Sequence, residues 1–352
     1  MVIPVEIETP SGVKKLEIGY NQGQNPFTVA QAFIDKHLLN PSYLKEIADY
    51  ISDRSANYQP PLLGDHSTPS TEKATPLPPP TPPAPSSAYF PLKTFATFDT
   101  AKIAKLFATV DQFNTLYPVL TAEELTVVSS LISTLQQTSY YHSSVVTKIQ
   151  VGVVCKLVGQ WPSSHVFPAL DLLRLVLVHP VGATHVPDTA ASLVLGHAFA
   201  PDAADATRFL ALRVLANWTP HAPSKVIALV PTVAEGINSA WPAISSWSKP
   251  LALSVATLWM DVVVALTTSG NLDENRAATI VATQLAELCM AIADEETLGR
   301  VLVAIGSLAV TFPSVGVAGI SAAVLQDKAS KFLPASAIHA IVSDVVAVLK
   351  TK

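Results

Sequence analysis

Three helical stretches that are otherwise apolar each hold a single arginine, and the three arginines recur at a near-constant interval. They sit in Leu173-Arg174-Leu175, Leu212-Arg213-Val214 and Gly299-Arg300-Val301. With Leu253-Ser254-Val255 as the intervening member, successive positions 174, 213, 254 and 300 lie 39, 41 and 46 residues apart. A repeat of this length holds two or three helices. One such unit cannot bury its apolar faces alone, so neighbours must stack. This period constrains the fold more than any other feature of the chain.

From Asp99 onward no stretch alternates at the strand period. Apolar residues recur at helical spacing, and short Pro/Ser/Asn/Gly turns separate about twelve helices of 12–20 residues. Thr121-Ala122-Glu123-Glu124 has the form of a capping box, and Asp294-Glu295-Glu296 opens a later helix. Periods of 40–47 residues are those of armadillo and HEAT-type repeats. We therefore expect an all-α, armadillo-like solenoid over 91–352. The helices at 165–178, 203–218, 250–267 and 296–311 would line its concave side and set the three arginines in one row. The row is interrupted at Ser254. Ala304 and Ser307, on the Arg300 stripe, would leave the lane open. Such a lane suits an extended acidic segment, because the guanidinium fork grips carboxylates in bidentate fashion.

A plainer account competes. Asp171 precedes Arg174 by three residues and Glu296 precedes Arg300 by four, both helix ion-pair spacings worth about 0.3 kcal/mol. Arg213 has Phe209 and Asn217 at the equivalent places, so no local acid accounts for it.

Residues 1–56 read differently. Val2–Glu8 and Val13–Tyr20 alternate at period two around Thr9-Pro10-Ser11-Gly12, which predicts a β-hairpin. Helices are expected after Asn25-Pro26-Phe27-Thr28 and from Pro41 to Ile51. A hairpin with two helices makes a thin core, and the chain begins inside a strand-like pattern, as a piece of a longer protein would. Between Tyr58 and Ala88 lie ten prolines, so 57–90 is expected to be an extended linker.

Composition excludes several functions. Hydrophobic residues make up 49% of the chain and charged residues 14%, enough apolar surface for a large core. The net charge is −5 and the 22 basic residues are scattered, so no nucleic-acid partner is expected. Residues 301–326 carry no charge and would suffice in length to span a bilayer, but Gly306, Pro313, Gly316 and Gly319 break the run into two buried helices; no membrane partner is expected. The two cysteines, Cys155 and Cys289, lie far apart in apolar runs, which fits a reducing compartment, cytoplasm and nucleus. Neither has a histidine nearby in sequence. No P-loop, GxGxxG, HExxH or GxSxG occurs, so no catalytic residue, metal, cofactor or small-molecule substrate is expected. A thiol hydrolase using Cys155 or Cys289 is the remaining enzymatic alternative.

The run Asn25-Pro26-Phe27-Thr28-Val29-Ala30-Gln31-Ala32-Phe33 with Leu39-Asn40-Pro41-Ser42-Tyr43-Leu44 resembles the C-terminal half of the PFU domain. Trp161-Pro162, Phe167-Pro168-Ala169-Leu170-Asp171-Leu172-Leu173-Arg174-Leu175, Leu212-Arg213-Val214-Leu215-Ala216-Asn217 and Arg300-Val301-Leu302-Val303-Ala304 resemble the PUL domain. PFU and PUL occur in that order in the phospholipase A-2-activating protein family. The resemblance implies a non-catalytic adaptor of the ubiquitin–proteasome system. Its PFU part would bind ubiquitin, with Phe27 and Phe33 as candidate contacts or else as core aromatics. Its PUL groove would bind the acidic, tyrosine-bearing C-terminal tail of the AAA ATPase valosin-containing protein. Carried over by motif, Arg174, Arg213, Asn217 and Arg300 would hold the tail's carboxylates. Trp259, which no motif of the family carries, is our own candidate for an aromatic wall beside the tyrosine. A generic armadillo scaffold for another acidic peptide is the alternative.

Overall fold

The computed structural model describes residues 2–9, 12–19, 29–31, 33–34, 46–51, 87–100, 103–141, 143–269, 274–315 and 320–350. The chain forms two compact units, Met1–Pro80 and Thr81–Lys352.

In the first unit, β1 (Val2–Thr9) and β2 (Gly12–Gly19) form an antiparallel hairpin with Val2 opposite Gly19 and Val5 opposite Leu16. Residues 29–31, 33–34 and 46–51 are helical. One side of these elements closes over a small core of Ile18, Ala30, Phe33, Ile34, Ile47, Ala48 and Ile51. Phe33 is buried in that core, so its ring is unavailable to a partner, and the expectation of a ubiquitin contact there is corrected. Phe27, residues 57–86 of the expected linker and the start of the first helix lie outside the described residues, while the linker's last four residues, 87–90, are part of the second unit.

The second unit holds twelve α-helices among its described residues. They are α1 (Ile103–Leu116), α2 (Ala122–Gln136), α3 (Lys148–Gln160), α4 (Phe167–Val178), α5 (Thr189–Ala198), α6 (Asp205–Trp218), α7 (Pro223–Ala240), α8 (Lys249–Ser269), α9 (Glu274–Ala291), α10 (Glu295–Thr311), α11 (Ala322–Ala329) and α12 (Ala337–Lys350). The predicted capping box is present at α2: Thr121 accepts from the Glu124 amide, and Glu124 reaches back to the Thr121 amide. Asp294 caps α10 through the amide of Thr297.

Each odd-numbered helix from α3 to α11 packs on the even-numbered helix that follows it, giving five helical hairpins. The even helices then stack on one another, α4 on α6, α6 on α8, α8 on α10 and α10 on α12, while α3 meets α5 and α7 meets α9 in a second layer. Buried Leu, Val, Ile and Ala side chains between the layers form one continuous core. The four helices expected to line one side are members of the first layer, and their observed bounds agree with the expected ones to within about two residues. The uncharged run 301–326 divides as expected, with α10 ending at Thr311 and α11 beginning at Ala322. One helix, Lys249–Thr268 within α8, has the length and apolarity to cross a membrane, but 83% of it is buried inside the solenoid.

Candidate functional site: a row of arginines under a strap

The row of arginines exists, and the chain itself lies across it. Residues 87–100 contain no helix. They cross α12, α10, α8, α6 and α4 in turn, running from the C-terminal end of the solenoid toward its start. Each helix supplies at least one polar side chain to this strap. Ser87 Oγ donates to Asp344 Oδ2 on α12 at 2.6 Å, and the Leu92 amide donates to Ser307 Oγ on α10 at 2.9 Å. The Ala96 amide donates to Asp261 Oδ1 on α8 at 2.8 Å, and the Phe98 amide donates to Asn217 Oδ1 on α6 at 2.7 Å. Arg174 on α4 donates to the carbonyls of Phe98, at 2.6 Å, and Thr100, at 3.1 Å. Phe90 fixes the other end: its ring is buried over Gly306, where a Cβ would meet ring atoms 2.5–2.8 Å away. The Phe90–Pro91 peptide bond is cis.

This geometry sorts the expected site residues into two classes. Arg174 is 2% exposed; its Nε donates to Asp171 Oδ1 at 2.7 Å, and its remaining nitrogens serve Asp171 and the strap. Asn217, 1% exposed, donates to the carbonyls of both Phe98 and Arg174. Both hold the chain's own backbone and have no group left for a carboxylate from outside. Ala304 and Ser307 do not leave the lane open, because the strap covers Ser307 and both residues are buried. Trp259 is 1% exposed and packed in the core, so it offers no aromatic wall. The strap fills the groove at the level of Arg174, Asn217 and Ser307, and Trp259 is turned into the helical core; these two facts correct the expectations.

Arg213 and Arg300 behave differently. Arg213 Nε donates to Ser254 Oγ at 2.9 Å, so the serine that interrupts the row supports its neighbour. The guanidinium is stacked between Phe98 and Phe209, 4.5 and 4.8 Å from the ring centroids. Among the described residues its two terminal nitrogens have no hydrogen-bond partner, and they are not sealed from solvent. Burial lowers the Arg213 pKa to about 10, with Arg174 and Arg300 adding repulsion and Asp171 opposing it; the group stays cationic at neutral pH. Arg300 pairs with Glu296 at 3.0 Å, as its spacing allowed, donates to Thr257 Oγ1, and lies 5.8 Å from the Phe98 ring. Beside it, Tyr89, Leu92, Phe95, Met260, Val303 and Ile338 line a pocket of about 600 Å³, with Glu296 and Arg300 among its polar residues.

The sequence reading missed Asp261 and the strap itself. Asp261 is fully buried, with one carboxylate oxygen on the Ala96 amide and the other without a partner. Burial pushes its pKa up to about 8, against the opposing pull of the Ala96 amide and Arg300. The signal that would have found the strap is the aromatic series Phe90, Phe95, Phe98, placed just after the proline tract.

The two cysteines are free thiols in apolar surroundings. Burial pushes the thiols of Cys155 and Cys289 up to about 11, so each is protonated at neutral pH. Among the described residues no cluster of His, Cys, Asp and Glu is suited to a metal.

Comparison with known proteins agrees with this architecture. Residues 90–344 match the PUL domain, and residues 1–59 match PFU, described as PLAA family ubiquitin binding. Phospholipase A-2-activating protein from Xenopus laevis is 24% identical over 83% of this chain and 42% of its own length, so the chain spans less than half of that relative. The crystal structure of a PFU-PUL domain pair of Saccharomyces cerevisiae Doa1/Ufd3 superposes with a TM-score of 0.55 at 16% identity, covering 98% of this chain and 96% of that one. A second structure of PUL with a mutated PFU domain gives the same score at 17% identity.

Proposed function

Because this chain belongs to the PUL-domain family and has the PFU-then-PUL order of the phospholipase A-2-activating proteins, we propose that it is a non-catalytic, ubiquitin-linked adaptor. Its solenoid docks the acidic C-terminal tail of a valosin-containing-protein-type AAA ATPase, and its PFU unit contacts ubiquitin.

One observation carries the docking reading. Arg213 presents two unpaired guanidinium nitrogens between two further arginines, and among the described residues no carboxylate bonds to them. Burying a cation next to like charges is costly, and an incoming carboxylate relieves that cost. Arg213 and Arg300 are the tail contacts in this reading, while Arg174 and Asn217 shape the lane by holding the strap. The protonated, buried thiols give the hydrolase alternative no support.

Isothermal calorimetry of the whole chain with a synthetic tail peptide tests the proposal. Binding that weakens at least tenfold in Arg213→Ala, and that falls as salt rises, is expected. No binding by the wild-type chain at low salt overturns it. An equal response to any acidic peptide of the same charge, whatever its sequence, moves the reading to a general acidic-peptide scaffold.

A further inference from the structure

The strap meets the helices with one edge only. Every backbone group it commits to the solenoid belongs to an even-numbered residue: the amides of Leu92, Ala96 and Phe98, and the carbonyls of Phe98 and Thr100. In an extended chain the amide and carbonyl of one residue point to the same side, and the next residue points to the other. Phe95, Thr97 and Asp99 therefore direct theirs away from the side chains that hold the strap. Among the described residues no protein group bonds to those amides or carbonyls. Over 95–100 the bonded groups thus alternate as they do along one edge of an extended strand, with side chains as the partners.

An unpaired edge is a template for a further strand. The charge around this one selects its occupant. The ring of Phe98 lies within reach of both Arg213 and Arg300, and Lys93 on the strap is exposed. The apolar pocket beside Phe95 and Arg300 has room for a large side chain. We propose that an extended acidic peptide binds by adding a strand to the free edge of the strap. Its main chain pairs with Phe95, Thr97 and Asp99, its carboxylates reach Arg213 and Arg300, and one bulky apolar side chain enters the pocket. The strap is then half of the binding site. This inference rests on the reading that an acidic tail occupies the lane, and it adds the mode of recognition.

Two measurements on the full chain test it with the same tail peptide. Thr97→Pro removes an outward amide and keeps Ala96 in extended backbone, leaving the bonds of Ala96 and Phe98 to Asp261 and Asn217 intact. Its affinity is expected to fall at least tenfold with the circular dichroism and melting temperature unchanged. In parallel, tail peptides N-methylated at one backbone position each are titrated against the wild-type chain, and tolerance is expected to alternate with period two. If Thr97→Pro perturbs the fold, the N-methyl series alone decides. Full affinity in Thr97→Pro together with uniform tolerance of N-methylation overturns strand addition while leaving tail docking standing. A wild-type chain that does not bind the tail overturns both. If Thr97→Pro abolishes self-association of the chain without changing tail affinity, the edge pairs with a second copy and the proposal fails.

Discussion

Arg174 and Asn217, forty-three residues apart, close on a single oxygen: the carbonyl of Phe98 accepts from Arg174 at 2.6 Å and from Asn217 at 3.0 Å. Asn217 also takes the Phe98 amide, so one residue is held on both its backbone polar groups. Two positions that a repeat pattern marks as facing a partner thus face the chain's own backbone. The strap joins five helices that are otherwise linked only through their neighbours.

Arg174→Ala is accordingly expected to act on stability. It strands the Asp171 carboxylate and two strap carbonyls, a loss on the order of 3 kcal/mol. Urea unfolding should show the midpoint falling with the slope unchanged. Arg213→Ala, which removes terminal nitrogens that bond to no group among the described residues, should keep the unfolding free energy within about 1 kcal/mol of wild type. Equal stabilities of Arg174→Ala and wild type would show that the strap does not depend on this grip.

Asp261 links the strap to pH. Its folded pKa, about 8, stands above the ordinary 3.8, so the folded state holds the proton more tightly than the unfolded chain. The stabilisation from this group is full below about pH 4 and is lost as pH rises through 8. Asp261→Asn keeps an acceptor for the Ala96 amide and removes the titration. The melting temperature of the variant relative to wild type should rise by at least ~3 °C between pH 5 and pH 9. A constant difference would place the Asp261 titration outside this range.

The solenoid was legible because its signal is redundant. Apolar runs, caps and a 39–46-residue interval all specify the same helices, and each survives a local exception such as Ser254. The ion-pair spacings of Arg174 and Arg300 were also legible, and both pairs form. The strap was not, because its order comes from side chains of distant helices bonding its backbone, which leaves no period in its own sequence. The same fact hid Asp261 and reversed the meaning of Ser307. Read alone, a small residue on a helix face suggests open space; here it marks where backbone lies against the helix. Trp259 shows the converse error, since an aromatic in an apolar helix belongs to the core unless something holds it out.

The thiols offer a direct check on the non-catalytic reading. Both are held at about 11 by burial, so thiolate at pH 7.5 is scarce. Native protein should react with iodoacetamide at least tenfold more slowly than urea-unfolded protein, measured by mass spectrometry at each cysteine. Fast native labelling of Cys155 would reopen the question of a reactive centre.

The far end of the strap is tested by the pair Phe90 and Gly306. A methyl group at 306 would meet three atoms of the Phe90 ring at 2.5–2.8 Å, and the ring, 4% exposed, has little room to turn. Gly306→Ala alone should therefore cost about 1–3 kcal/mol, as overpacking does, although alanine favours the helix itself. Phe90→Leu alone should cost a comparable amount by leaving a cavity. Combined, the two changes relieve each other: the smaller side chain vacates the space that the new methyl needs. A double-mutant cycle by urea unfolding should show a favourable coupling of about 1 kcal/mol. Strict additivity would mean that the strap lifts away from α10 when Gly306 is substituted, and that Phe90 does not anchor it.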